Sequence, residues 1–474
     1  MHYALLNPIV TPKRTLRRDL FENLLDGVPG IQKDYILDLV YPGPGLDTII
    51  DFPGIKCKDQ DIFEGAQALA ILKEFLEHFY MGKFLGPFPS WVKSFNGLPL
   101  SFVRTFVIKK GDYTPENPKF RVLINASEEL PHWQSFQPED QSYLKFTNNR
   151  PIKSLNDAII AKTCSLPRAK DIIAGLYKCK LIWKLDLAKA FRHLILEINS
   201  WRKAAMMTRL KHPYTGELWE VVWACASVSM GCKNSPCEFQ HLFSAFVKAA
   251  IFKNPTLFGG PENLKLLYVF IDDFMGGAIG KSIQEGLHHA ARQIAWLQMI
   301  GGWMGLTFLP SKVEYPNSCQ TVLGLVLNVI SNRVSLKLGK SEKLALRISN
   351  LLKAEAWNLK DLQKICGNLV WAGLIIPKLF GFATPLIECQ KLLPTSNKHI
   401  SLKKIGPLAI EVKRVLTFIL PIIRMDPSIH INRFLGKLKH LKVPLYSDAS
   451  GNELLSSNPT PNTLGLFFPC YMSP

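Results

Sequence analysis

Two segments of the sequence interrupt apolar runs with carboxylates. Leu181-Ile-Trp-Lys-Leu-Asp186-Leu-Ala-Lys-Ala-Phe191 reads as a strand that ends in a single Asp followed by a turn. Leu266-Leu-Tyr-Val-Phe-Ile271-Asp272-Asp273-Phe274-Met-Gly-Gly277 sets two adjacent Asp inside a strongly apolar stretch. An apolar run broken by Asp-Asp and resumed by Phe-Met predicts a β-hairpin with both acids at its turn. Two like charges held together among apolar strands are unfavourable unless cations neutralise them. A third carboxylate from a neighbouring strand would complete a magnesium site, because Mg2+ prefers carboxylate oxygens together with substrate phosphates. Two such ions, about 3.5–4 Å apart, activate a 3′-hydroxyl and stabilise a leaving pyrophosphate. Taken alone, Asp272-Asp273 reads as an ordinary polar hairpin turn, and Asp186 alone says less still.

The elements that must position these acids are legible in outline. Residues 120–125 and 181–198 form short, β-like runs, while 282–300 read as a helix. Upstream, residues 1–90 alternate loop and helix. There Ala66, Leu69, Leu72, Phe75, Leu76 and Phe79 carry the spacing of an amphipathic helix over 63–80. Pro- and Gly-containing stretches at 86–98 and 111–118 punctuate the chain. After Leu327 the character turns helical, with Asn358 the expected N-cap ahead of Leu359, Leu362, Cys366, Leu369 and Gly373. A last β-like piece covers 444–447. Strands mixed with helices predict an α+β fold, and 474 residues allow two to four domains at roughly 100–200 residues each.

Charge narrows the partners. Lys and Arg number 57 against 38 Asp and Glu, a formal charge of +19. That excess suits nucleic acid, where basic side chains displace the counterions condensed on phosphates. A solvated basic surface is the plainer alternative. Hydrophobic residues at 47% exclude a disordered chain. The ten cysteines include no Cys-x-x-Cys pair, and Cys232 and Cys237 lack the second pair or nearby histidines of a zinc site. Reduced thiols are expected. No apolar run approaches the ~18–20 residues of a membrane span. Lys13, Arg14, Arg17 and Arg18 follow the weakly apolar start rather than precede it, unlike a signal peptide. The expectation is a soluble intracellular chain, cytoplasmic or nuclear, with no membrane partner.

The order of the surrounding segments changes the weight of the acids. Upstream lies the basic strand Lys119-Phe-Arg121-Val-Leu-Ile-Asn125, and between the acids lies Ser229-Met-Gly231-Cys-Lys-Asn-Ser235-Pro236-Cys-Glu-Phe239-Gln240. After them come Gly305-Leu-Thr-Phe-Leu-Pro-Ser-Lys312 and Val322-Leu-Gly324-Leu-Val-Leu327. Over residues 119–328 these segments resemble, in order, the finger, A, B, C, D and E motifs of reverse transcriptases. The resemblance implies that Asp186, Asp272 and Asp273 bind two Mg2+ ions, which Mn2+ can replace. Leu187 shares in the metal and nucleotide contacts. Lys119 and Arg121 match residues that grip the incoming triphosphate, Arg bidentately, though a surface-strand charge pair reads the same. Phe191 matches the aromatic gate that clashes with a ribose 2′-hydroxyl; a buried core Phe is the alternative. Gly231 would let backbone approach nucleotide or template closely, and Ser235-Pro236 would open the next helix. Lys312 matches a lysine that protonates the leaving pyrophosphate, or is a plain surface lysine.

RNA-dependent RNA polymerases typically carry a second Asp four or five residues after the first. Here those positions are Ala190 and Phe191, and the hairpin reads Phe-Ile-Asp-Asp rather than Gly-Asp-Asp. DNA synthesis is therefore favoured, with RNA template, DNA or RNA primer and dNTPs as partners. Met81-Gly-Lys83-Phe-Leu-Gly86-Pro87-Phe88, Ser154-Leu-Asn156-Asp157 and Leu359-Lys-Asp-Leu362-Gln363-Lys-Ile-Cys-Gly367-Asn-Leu369 look like blocks of DIRS-like retrotransposons. Departures stand beside the likeness. Ser229-Met230-Gly231 replaces the usual Pro-Phe-Gly or Pro-Gln-Gly, and Met230 cannot hydrogen-bond as Gln would.

The family implies a right-hand polymerase of α+β class with an antiparallel palm sheet. Its expected parts are an N-terminal extension (1–98), fingers (99–180), palm (181–331) and a helical thumb or connection (332–440). Residues 441–474, with Leu445-Tyr-Ser-Asp448-Ala-Ser-Gly451, resemble the start of an RNase H. Only Glu453 follows Asp448 as an acid, so RNase H activity is not expected from this chain. The competing expectation is a relic or domesticated element that binds RNA or RNA–DNA hybrid without polymerising.

Overall fold

Two sheets organise the first part of the chain. In chain order their strands are β1 (Phe84–Pro89), β2 (Phe102–Lys109), β3 (Phe120–Asn125), β4 (Leu181–Asp186), β5 (Ala205–Lys211), β6 (Leu218–Cys225), β7 (Leu267–Phe270), β8 (Asp273–Ala278) and β9 (Glu314–Asn317). One sheet runs β1-β6-β5-β2-β3, with Ile62–Phe63 added to β5 in parallel. The other runs β7-β8-β4-β9 and is antiparallel throughout. A meander of Cys319–Val322, Leu325–Asn328 and Arg333–Leu336 follows. The computed structural model describes residues 11–49, 60–95, 97–109, 114, 116, 118–127, 152–212, 215–258, 266–376, 379–394, 398–425, 427–436, 447–449 and 464–466. These fall into two compact units, Met1–Leu346 and Arg347–Pro474.

Side-chain alternation decides which face of the second sheet holds the acids. Successive residues of a strand point to opposite faces, so Trp183 and Leu185 share one face while Lys184 and Asp186 share the other. Helices Ser235–Lys253 and Ile283–Met304 pack on this sheet. On the face of Trp183, Phe274 meets the rings of Phe243, Phe246 and Phe308 at 5.8, 6.2 and 5.5 Å. The register pairs Trp183 with Gly276 and Asp186 with Asp273. A slip of one residue in the Asp273 strand would turn Asp273 toward the aromatic core. Gly276 helps to prevent it, because a Cβ there would lie 2.0 Å from the Trp183 indole. The fully buried indole donates its N–H to Gln293 Oε1 at 2.7 Å. Gln293 Nε2 in turn donates to the carbonyls of Leu257 and Gly277 at 3.0 and 3.1 Å. One amide satisfies three buried groups between sheet and helix.

Most expected elements are present with shifted ends. The amphipathic helix covers Gly65–Tyr80, the later helix runs to Met304, and β3 matches residues 120–125. The acids do sit at a hairpin, and Ser235-Pro236 does open a helix. The β-like reading of 181–198 is corrected: the strand stops at Asp186, and 3-10 turns follow at Ala190–His193 and Ile198–Ala204. Leu194, Ile195 and Leu196 are apolar because tertiary packing buries them, and a short apolar run cannot distinguish strand from buried turn. Helix also begins later than Leu327, after the strand Arg333–Leu336.

In the second unit Asn358 caps Leu359–Ala372, its Oδ1 accepting the Asp361 N–H at 2.8 Å. Longer helices Thr384–Lys391 and Pro407–Arg424 and short ones Leu402–Ile405 and Ile431–Phe434 follow it. Near the end Ser447–Ala449 pairs antiparallel with Leu464–Leu466, whereas residues 444–446, Gly451 and Glu453 lie outside the described residues. Among the described residues no helix is long and apolar enough to cross a membrane.

Gln293→Leu leaves the Trp183 N–H and two carbonyls without partners, and is expected to cost about 2–4 kcal/mol. Urea unfolding measures the loss. Trp183→Phe in the same chain removes the stranded donor, so the double variant should recover part of the deficit.

Candidate active site

The hairpin that carries two of the acids is strained at its turn. Ile271 and Asp272 connect β7 to β8, and Phe270 pairs with Asp273. Ile271 has φ +55°, a region that β-branched residues rarely enter, at a cost of about 1–3 kcal/mol. Gln240, on the Ser235–Lys253 helix, holds it there. Its Oε1 accepts the Ile271 N–H at 2.8 Å and its Nε2 donates to the Val269 carbonyl at 3.0 Å.

Three carboxylates meet at this end of the sheet. Asp186 and Asp273 are register partners on adjacent strands, and Asp272 precedes Asp273 at the turn. Asp186 Oδ2 accepts from Lys312 Nζ at 2.6 Å, while its Oδ1 is buried without a hydrogen-bond partner. The chain before Lys312 is laid along the Asp186 end of β4 by backbone contacts. Ala188 N–H donates to Thr307 O at 2.8 Å, Leu309 N–H to Asp186 O at 3.3 Å, and Leu187 bridges Phe308. Burial raises the Asp272 carboxyl above its ordinary value, and Asp273 and Asp186 add to the rise. Burial also raises Asp273; Lys184 opposes this, while Asp186 and Glu314 reinforce it. Lys184 pairs with Glu314 on the edge strand at 2.8 Å.

Among the described residues no three His, Cys, Asp or Glu side chains already stand as a metal cage. The donor set nevertheless fits a hard divalent cation: carboxylate oxygens only, one of them buried and unpaired, beside a lysine ammonium that sits where positive charge is favoured.

A cleft of about 330 Å3 opens over the acids. Asp186, Asp272 and Lys312 line it, facing Arg121 and its neighbours on β3. Leu187 is buried in its floor at 1% exposure. Phe191 lines the cleft and also stacks 5.0 Å from Phe239, so it is both wall and core. Lys119 and Asp273 are not among the lining residues; Lys119 sits at the exposed start of the strand. Gly231 has φ +109° and stands behind Met230, which is 49% exposed and supplies the wall. Another concavity of about 300 Å3, in the second unit, holds Arg347, Lys364 and His399 around one carboxylate, Asp361, which Asn358 already binds at 2.8 Å.

Sequence reasoning missed four residues of the cleft. Glu74 and His78 come from the Gly65–Tyr80 helix, one turn apart, with Nε2 and Oε1 2.9 Å from each other. Burial lowers His78 to about 4, so a neutral imidazole donates to the carboxylate, and that hydrogen bond is the main reason Glu74 falls to about 2. Their i, i+4 spacing was visible, but not the wall it faces. Lys189 lies in the segment already singled out, and Arg192 is the residue after its end. Lys189, at φ +48°, turns the chain and pairs with Glu77.

No protein-family model and no curated protein matches the chain. Among solved structures, a foamy viral protease-reverse transcriptase in complex with dsDNA aligns at TM-score 0.50 and 14% identity, over 94% of this chain and 78% of that one. A dRH form of that protein with dsDNA gives 0.49 and 15%, over 86% of this chain. The protein with RNA/DNA hybrid gives 0.48 and 14%, over 84%. The chain spans 61% and 46% of the length of those last two. The alignment at TM-score 0.50 shows a mixed α and β fold that is reverse transcriptase-like.

Because Asp272 and Asp273 titrate above their unfolded value of 3.8, their charge destabilises the fold fully above the folded pKa values and not at all below 3.8. Asp273→Asn should thus be more stable than wild type at pH 7 in the absence of divalent cations. The difference should shrink as pH falls toward 4, which urea midpoints across that range would measure.

Proposed function

We propose that the chain is an RNA-directed DNA polymerase that adds dNTPs to a primer 3′-hydroxyl. The observation that carries the reading is the convergence of Asp186, Asp272 and Asp273 at one sheet end, where Asp186 and Asp272 line the same cleft as Arg121. The three carboxylates, with Leu187 beside them, would hold two Mg2+ ions, or Mn2+ in their place. When bound, the ions activate the 3′-hydroxyl and neutralise charge on the departing pyrophosphate. The remaining work falls to side chains. Arg121, with Lys119 nearby, binds the triphosphate; the Arg fork takes two phosphate oxygens at once. The Phe191 ring, braced by Phe239, blocks a 2′-hydroxyl and selects dNTPs. Lys312, at the rim on Asp186, gives a proton to the leaving pyrophosphate.

In this reading β4 and β7–β9 form the palm, β2 and β3 belong to the fingers, and the helices of the second unit serve as thumb or connection. The excess of basic residues holds template and primer. The blocks at 81–88, 154–157 and 359–369 support a retrotransposon of the DIRS-like group as the source. A second reading, hybrid binding without synthesis, is favoured by Met230, whose thioether makes no strong hydrogen bond to a nucleotide.

Primer extension on an RNA template with dNTPs and Mg2+ tests the proposal. Extension by wild type that vanishes in Asp272→Ala/Asp273→Ala supports it. No extension by a folded, hybrid-binding wild type moves the chain to the second reading. Mg2+ should also raise the melting temperature of wild type and not of the double variant. Phe191→Ala should raise ribonucleotide incorporation by roughly ten-fold or more.

A further inference from the structure

Residues 225–233 are gripped from two sides by side chains that the proposed chemistry leaves unused. Cys225, Ser227 and Ser229 alternate with Ala226 and Val228, and a period of two puts the thiol and both hydroxyls on one face. Arg192, next to Phe191, reaches that face. Its Nη1 donates to Ser229 Oγ at 3.0 Å, Ser227 Oγ at 3.1 Å and Cys225 Sγ at 3.3 Å, with the guanidinium 4.8 Å over the Phe84 ring. Ser235 Oγ adds a bond to the Ser229 carbonyl at 2.7 Å.

Asn156 closes the other side. Its Nδ2 donates to the Gly231 carbonyl at 2.7 Å, and its Oδ1 accepts the Lys233 N–H at 2.8 Å. The Lys233 amide can only donate, so the orientation of the carboxamide is fixed. Asn156 also binds the end of the strand that carries Arg121: its backbone N–H donates to Ala126 O at 2.9 Å and its Nδ2 to Ser127 Oγ at 2.7 Å. Gly231 packs directly against that strand, since a Cβ there would lie 2.8 Å from the Ile124 carbonyl. Between the two grips stands Met230, exposed to the cleft.

We infer that Asn156 and Arg192 are positioning residues that fix the turn at 229–231, so that Met230 forms a rigid wall of the dNTP cleft and is met by shape alone. This rests on the polymerase reading. The nucleotide is then held between Arg121 and Met230 at a spacing set by Asn156, which touches both supporting segments.

Hydrogen exchange on the free protein and dNTP kinetics test the inference separately. Asn156→Ala should speed exchange in peptides covering 229–233 and raise the KM for dNTP roughly ten-fold, with kcat and hybrid affinity unchanged. Asn156→Asp keeps the acceptor for Lys233 and should fall between Ala and wild type; Arg192→Lys should loosen 225–229. Unchanged exchange in Asn156→Ala overturns the clamp. Faster exchange with an unchanged KM overturns its role at the cleft. A wild type that extends no primer defeats the polymerase reading instead, and exchange together with dNTP affinity then decides the clamp.

Discussion

The ladder between β4 and β8 sets two aspartates directly opposite each other, and the rest of the first unit is arranged around tolerating that pair. Like charges in register repel, and burial adds to the cost by raising Asp272 and Asp273 above the ordinary carboxylate range. The register cannot slip to relieve them. Trp183 lies over Gly276 on the opposite face, tied through Gln293 to the Ile283–Met304 helix, and a one-residue shift would exchange aromatic core for carboxylate. Lys312 and Lys184 supply nearby positive charge, yet one oxygen of Asp186 stays unpaired. A site that stores this much unbalanced negative charge is suited to receive cations.

The same logic explains the strained turn. Ile271 occupies a backbone region that its branched side chain disfavours, and Gln240 compensates with two hydrogen bonds from the helix beneath. That helix is itself anchored from below: Glu238, buried at 2% exposure, accepts from Tyr35 at 2.7 Å and from Lys162 at 2.6 Å. The helix Lys33–Val40, which carries Tyr35, therefore supports the helix that holds the strained turn.

The walls of the cleft come from segments far apart in sequence. Arg121 stands on β3, Glu74 and His78 on a helix some fifty residues earlier, and Met230 on a turn a hundred residues later. What brings them within one concavity is close backbone packing. Gly231 against Ile124 is the clearest case, since any larger residue would push the turn away from the strand. Shape in this cleft follows from contacts between backbones, and the side chains facing the ligand inherit their spacing from it.

Much of the architecture was legible in the residues alone. The apolar run broken at Asp272-Asp273 located a hairpin, the spacing from Ala66 to Phe79 located a helix, and Ser235-Pro236 and Asn358 marked helix starts. Those signals are local, carried by periodicity, capping and turn chemistry that act within a few residues. The segment after Asp186 defeated the same reasoning, because its apolar residues are buried by distant neighbours while the backbone turns at Lys189. Residue types and order along the chain determined which groups could do chemistry. Only the tertiary structure decided that Asp186 faces Asp273, that Glu74 and His78 join the cleft while Lys119 does not line it, and that Met230 is presented between Asn156 and Arg192. Those facts depend on register and long-range packing, which no local pattern encodes.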